Sequence, residues 1–218
     1  MPATTDARGR SADHLSAAAT TLPSAMGGFT RGHLAPTDVG RGLDVPVPMG
    51  RDSQGRIVTE FVDGVVASDG RPLTHAQLRQ VEGTVRAIHD ANEELDAAGL
   101  GLDPALIPVS APDLVCLGDL TPWNLVLRER SVSIDWSGAA ASTRLWDLAY
   151  SAQAYTLNDA SLDPDASAQA LRAFVDGYRA DAEARSALPE TLAQRSWAMV
   201  ELLRDDDRDG VEPWGPCS

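Results

Sequence analysis

Three polar residues, Asp119, Asn124 and Asp135, stand in an order that suits phosphoryl transfer. A carboxylate can accept the proton of an attacking hydroxyl, and an amide shortly after it can hold Mg2+. A second carboxylate on a neighbouring strand can hold the metal that bridges the phosphates. Pro122 makes the segment from Asp119 to Asn124 a tight loop, so both side chains can turn towards one point. Residues 125–127 and 132–134 read as short strands joined across 128–131, a hairpin that returns Asp135 to the level of Asn124. Two carboxylates converging there repel and raise one another's pKa unless a cation lies between them. A divalent metal with phosphate oxygens supplies that cation, and Mg2+ is typically held by one or two carboxylates plus substrate phosphates. Asp and Asn also make ordinary turns, so the bare spacing establishes nothing by itself.

The surrounding stretch narrows the choice. From Cys116 to Tyr150 the chain reads CLGDLTPWNLVLRERSVSIDWSGAAASTRLWDLAY. This resembles the aminoglycoside phosphotransferase and choline kinase-like family. It is most similar to a bacterial subgroup with H-x-D-x-x-P-W-N, then I-D-W, then R-L-W-D-L-A-Y. The matching residues are Asp119, Pro122, Trp123 and Asn124, then Ile134, Asp135 and Trp136, then the run from Arg144 to Tyr150. The resemblance implies an α+β, protein-kinase-like fold. Its β-rich N-terminal lobe is reduced, and its mainly helical C-terminal lobe carries a catalytic β-hairpin. It implies ATP and Mg2+ as cofactors and a small-molecule hydroxyl as acceptor. Asp119 would be the base, and Asn124 and Asp135 the metal ligands. Glu60, Phe61 and Val62 would contact adenine at the hinge, although a plain edge strand explains those three equally well. Asp147 would brace the catalytic loop in a structural role.

Composition sets further bounds. The chain has 218 residues, 43% hydrophobic and 23% charged, as in an ordinary globular protein with one sizeable core or two small lobes. No apolar run is long enough for a transmembrane helix, and the first residues lack the hydrophobic region of a secretory signal. Cys116 and Cys217 are expected as free thiols in a reducing cytoplasm. The net charge of −14 argues against nucleic acid and anionic membrane as partners. That acidity is spread over the whole chain, so it does not select a cationic acceptor.

Residues 1–25 read as a flexible leader, 26–64 as a shortened N-lobe and hinge, and 65–218 as the kinase-like C-lobe. The glycine-rich turn at 27–32 lacks a preceding strand, so it reads as a loop more than a phosphate cover. Residues 56–62 form a strand pattern ending at Asp63-Gly64. Thr74 and Gln77 form a capping box, and Leu78, Val81, Val85, Ile88 and Leu95 mark one helical face up to Gly99. His89 on that helix reads as a packed histidine. Leu114-Val115-Cys116 is a short strand, and Ser142 or Thr143 caps a helix through Leu145 and Leu148. Asp165 opens another helix with Leu171, Phe174, Val175 and Tyr178. A last helix is expected from Pro189, followed by a polar tail from Asp205. Trp136, Trp146 and Trp197 read as packing residues.

Some features depart from the pattern. All 18 basic residues are arginine, so the lysine that kinase-like folds set against the phosphates has no counterpart. Arginine is a wider, forked substitute. Too few residues precede the hinge for the family's full first lobe. Leu117 replaces the histidine two residues before Asp119, a change the loop tolerates if the leucine packs. A phosphotransferase, a nucleotide-binding module without turnover and a structural remnant all remain compatible with these residues.

Overall fold

A computed structural model describes residues 43–54, 57–96, 100, 102, 104–136 and 138–210. The leader, the glycine-rich turn at 27–32, Gly99 and Cys217 lie outside the described residues.

Short strands build three small antiparallel sheets. A two-stranded ribbon joins β1 (Pro48–Arg51) to β2 (Ile57–Thr59). A second sheet has the order β3 (Val65–Val66), β5 (Leu125–Leu127), β6 (Val132–Ser133). A third pairs β4 (Leu114–Cys116) with β7 (Ala140–Ser142). Among the described residues four α-helices follow or interleave: α1 (His75–Ala91), α2 (Arg144–Thr156), α3 (Pro164–Tyr178) and α4 (Ala182–Asp209). This is the α+β arrangement expected, with a β-hairpin set between the helices of the C-terminal part.

Local chemistry sets the helix ends. Thr74 accepts from the Gln77 amide and the Gln77 side chain reaches back to the Thr74 amide, so the capping box satisfies two donors that otherwise lack partners. α1 buries Leu78, Val81, Val85 and Ile88 on one stripe, as the spacing predicts. The helix stops at Ala91, short of the expected Gly99. Asn92 takes the C-cap, and its side chain donates to the Val115 carbonyl at 2.9 Å, which turns the chain towards β4. Thr143 caps α2 through the Trp146 amide. Asp163, rather than Asp165, caps α3, with Pro164 in the first turn where a missing N–H does no harm.

α4 departs furthest from expectation. It begins at Ala182 under an Asp181 cap and carries Pro189 inside it, so proline is not its start. Asp205, Asp206 and Asp207 belong to its last turns, where Arg208 pairs with Asp205 and Asp209 at 2.9 and 3.0 Å. Trp197 on this helix is 56% exposed and donates to Glu201, so it is not a packing residue.

The main core joins all four helices. Leu78, Val85 and Ile88 meet Leu117, Leu120, Leu148, Phe174, Val175 and Leu188. Phe174 is wholly buried, and burying such a side chain contributes roughly 1.5–3 kcal/mol. α1 lies against α3 so closely that a Cβ on Gly177 would sit 2.5 Å from the Arg79 carbonyl oxygen. Leu117 is buried in this core, so the leucine in the histidine's place does pack.

One core group is out of keeping with its surroundings. Glu82 on α1 is fully buried, and neither carboxylate oxygen has a hydrogen-bond partner among the described residues. Burial, and then the charge of Asp147, hold its pKa well above the usual range. The folded chain therefore keeps a proton that the unfolded chain releases. That stability is fully present below the unfolded pKa and fades as pH rises towards the folded one. Glu82→Gln, which cannot ionise, is expected to become more stable relative to the wild type by about 1.4 kcal/mol per pH unit across that interval. Urea midpoints measured from pH 5 to pH 8 would show it; parallel curves for the two proteins would refute it.

Candidate active site

Strand pairing creates the site. β4 and β7 run antiparallel with Cys116 opposite Ala140, so the loop after β4 and the loop before β7 emerge at the same end. The first carries Asp119 and the second Asp135. Between them lies the β5–β6 hairpin, with Leu125 opposite Ser133. The Ile134 amide donates to the Asn124 carbonyl at 2.8 Å, which places Asp135 one residue beyond Asn124's level. The hairpin therefore returns Asp135 as the spacing predicts.

Close backbone contact locks the two loops together. Gly118 adopts φ +75°, and a Cβ there would lie 3.1 Å from the Gly138 carbonyl oxygen. A Cβ on Gly138 would lie 2.9 Å from the Leu117 carbonyl oxygen. No side chain fits between these strands of backbone without displacing one of them. Asp135 itself has φ +57°, a left-handed conformation that aspartate tolerates better than most residues but that is uncommon outside glycine. Such backbone strain concentrates at functional sites.

Asn124 is buried at the end of a 3-10 turn, Pro122–Asn124. Its Nδ2 donates to Asp119 Oδ2 at 2.8 Å and to the Asp119 carbonyl at 3.2 Å. The amide NH2 is thus committed to Asp119, which leaves the amide oxygen as its coordinating atom. Asp119 Oδ1 is buried and has no hydrogen-bond partner among the described residues. Burial raises the Asp119 pKa and the nearby Asp135 charge adds to the rise, while contacts from Thr121, Trp123 and Asn124 work against it.

A second layer holds the loop. Asp147 on α2 accepts from the Gly118 amide through Oδ1 at 3.0 Å and from His89 Nε2 through Oδ2 at 2.9 Å. His89 Nδ1 meets the Tyr178 hydroxyl at 2.7 Å. His89 is fully buried with both ring nitrogens engaged, which is a packed and not an exposed catalytic histidine. Cys116 joins His89 and Asp147 in a buried group, but the ring nitrogens are taken and burial pushes the thiol pKa far up. Cys116 is a free cysteine. Trp136 donates to the Ser133 carbonyl at 2.8 Å and packs against the core beneath the hairpin.

The hinge residues follow β2, at the end of the β1–β2 ribbon. The strand expected over 56–62 is shorter, ending at Thr59. Glu60 still donates its amide to the Val47 carbonyl at 2.9 Å, and Phe61 then stands 80% exposed beside a half-buried Val62.

Two site residues escaped the sequence reading. Tyr150 on α2 lies near Asp119, and burial, then the Asp119 charge, pushes its pKa up to about 12. Arg195 on α4 places its guanidinium carbon 4.2 Å from the Tyr150 ring centroid. A signal existed for the latter. Leu188, Leu192 and Arg195 share one face of α4, so a charge stands where the period calls for an apolar residue.

Residues 76–189, just over half of the chain, match the phosphotransferase enzyme family. The chain belongs to that family. No curated protein sequence matches it. Among solved structures, the GDP complex of wild-type aminoglycoside 2'-phosphotransferase-IIIa aligns with TM-score 0.55 at 14% identity, covering 82% of this chain and 74% of that one. Aminoglycoside-3'-phosphotransferase of type VIII aligns with TM-score 0.48 at 22% identity, over 73% and 76% of the two chains. Macrolide 2'-phosphotransferase MphH from Brachybacterium faecium gives TM-score 0.48 and 15% identity, over 85% and 83%. The phosphotransferase family fold is therefore the frame of the Asp119 cluster, and the family match includes all of Asp119, Asn124, Asp135 and Asp147. No described helix of this family member is long and apolar enough to cross a membrane.

Proposed function

We propose that the chain transfers the terminal phosphoryl group of ATP to a hydroxyl of a small molecule in the cytoplasm. What carries this is the 2.8 Å contact between Asn124 and Asp119, with Asp135 brought alongside by the hairpin. Asp119 is the base: it accepts the proton released as the acceptor oxygen attacks the phosphorus. Its Oδ1, without a hydrogen-bond partner among the described residues, is the atom available for that proton. Proximity and charge placement supply most of the barrier reduction in such transfers, so a base fixed by Asn124 and by the braced loop is well suited to the role.

The residues present fit Mg2+. An amide oxygen from Asn124 and a carboxylate from Asp135 are hard oxygen donors of the kind Mg2+ takes, and phosphate oxygens would complete the set. The ion would neutralise charge on the phosphates. Glu60, Phe61 and Val62 are proposed to face the adenine, with the exposed Phe61 ring as the surface a base can cover. The GDP carried by the aminoglycoside 2'-phosphotransferase-IIIa structure agrees with nucleotide use by this fold.

Calorimetric titration of Mg2+-ATP into the wild type and Asp135→Asn tests the metal site. The variant is expected to bind roughly ten- to a hundredfold more weakly, at least the loss that even an outer-shell metal partner produces. Equal binding by both proteins would remove Asp135 from the site. The absence of lysine favours a second reading, a nucleotide-binding module without turnover. Binding of Mg2+-ATP with no phosphate transferred to any hydroxylated compound would establish that alternative.

A further inference from the structure

Behind Asp119, on the α2 and α4 side, lies a cation to which the transfer step gives no task. Arg195 is only 6% exposed. Its guanidinium carbon sits 4.2 Å from the Tyr150 ring centroid and 5.9 Å from that of Trp146, so two aromatic side chains flank it. Its Nη1 is buried without a hydrogen-bond partner among the described residues. A buried guanidinium donor left unpaired is costly, and folded proteins seldom keep one without a use. Burial lowers the Arg195 pKa, whereas Tyr150, Asp147 and Asp119 hold it up through their charges.

The neighbours of Asp119 divide into two sets. Asn124 and Asp135 reach it from the hairpin, where the metal and phosphates would lie. Tyr150 on α2 adjoins it from the other side, with Arg195 on α4 stacked on the Tyr150 ring and within reach of the Asp119 charge. Attack in line with the leaving oxygen sets the acceptor oxygen between Asp119 and the phosphorus, so the rest of the acceptor extends away from the nucleotide phosphates. With the hairpin side taken by metal and phosphates, the second set is the one left for it.

The geometry points to Arg195, flanked by Tyr150 and Trp146, as the subsite for an oxyanion of the acceptor. The substrate is then a hydroxylated acid, carrying a carboxylate or a phosphate, that presents its hydroxyl to Asp119 while its acid group takes the unpaired guanidinium N–H. The inference rests on Asp119 being the base. Arginine's planar fork matches both acid groups, and its charge stands against a cationic amino alcohol at the same place.

Saturation-transfer NMR on the full chain tests this with glycerate and glycerol 3-phosphate as acidic probes, glycerol as the neutral one and choline as the cationic one. At least one acidic probe is expected to bind, and the better of the two tells carboxylate from phosphate. Glycerol and choline are expected not to bind at the same concentration. Arg195→Met should weaken the acidic probe about ten- to a hundredfold, the range for a lost hydrogen bond to a charged group, with Arg195→Lys recovering part of it. Mg2+-ATP affinity should stay unchanged in both variants. Acid binding that is equal in wild type and a folded Arg195→Met overturns the inference, as does choline binding better than either acid. Should Arg195→Met fail to fold, the wild type alone decides. Saturation must pass between the acidic probe and the Tyr150 and Trp146 ring protons, and its absence from a folded wild type overturns the subsite. Mg2+-ATP binding without acid binding sinks this inference and spares the phosphotransferase assignment. Acid binding at Arg195 without Mg2+-ATP binding does the reverse.

Discussion

Asp119→Asn is expected to lower phosphoryl transfer by about 10²–10⁴-fold, the usual contribution of a positioned general base, while leaving Mg2+-ATP affinity close to that of the wild type. The substitution keeps the size of the side chain and removes its capacity to take a proton. It leaves Asn124 and Asp135, which would hold the metal, in place. The affected quantity should therefore be kcat, with little change in the nucleotide's apparent binding. The measurement is steady-state kinetics on whichever hydroxylated acceptor supports turnover, paired with calorimetry of Mg2+-ATP. An asparagine variant that turns over as fast as the wild type would show that Asp119 is not the base. Lost nucleotide binding would show instead that the residue supports the metal site.

The second large effect concerns folding. Asp147 is almost wholly buried and serves two donors at once, the Gly118 amide and His89 Nε2. Asp147→Ala leaves both donors unpaired, and each buried donor left without a partner costs about 1–3 kcal/mol. The expected result is a loss of about that size per donor in urea unfolding, a large share of the stability of an ordinary domain. The catalytic loop should loosen before the whole molecule unfolds, since Gly118 leads directly into Asp119. Hydrogen exchange at the Gly118 amide would report that loosening. Unchanged protection there, with unchanged urea midpoints, would mean that Asp147 braces nothing.

The Asp119–Asn124–Asp135 half of the candidate site was legible because it is local. Asp119, Asn124 and Asp135 lie on one short stretch whose turn and hairpin chemistry follow from Pro122 and the apolar residues on either side. The capping box at Thr74 and the cap at Thr143 were legible for the same reason. What was lost depends on contacts between distant segments. Leu95 continues the period of α1, yet Asn92 ends that helix because its side chain is claimed by Val115 on β4. Pro189 has the character of a helix start, but Asp181 supplies an earlier cap and the helix passes through the proline. Arg195 meets Tyr150 only once α4 is laid against α2, so its role could not follow from spacing along the chain. Trp197 is a large apolar residue that turns outwards on the same helix, against the expectation that its type set.

The contact between Gly118 and Gly138 bears on how this protein can diverge. Each glycine leaves room for the other's loop, so a side chain at either position pushes the Asp119 loop away from the Asp135 loop. Neither position can drift alone, and a compensating change at the partner cannot restore the lost space, because the obstruction is backbone. Descendants of this gene should therefore vary freely across the outer face of α4 while holding both glycines. A recombinant that inherited residues 116–150 from one parent would carry Asp119, Asn124, Asp135, Asp147 and this glycine pair together.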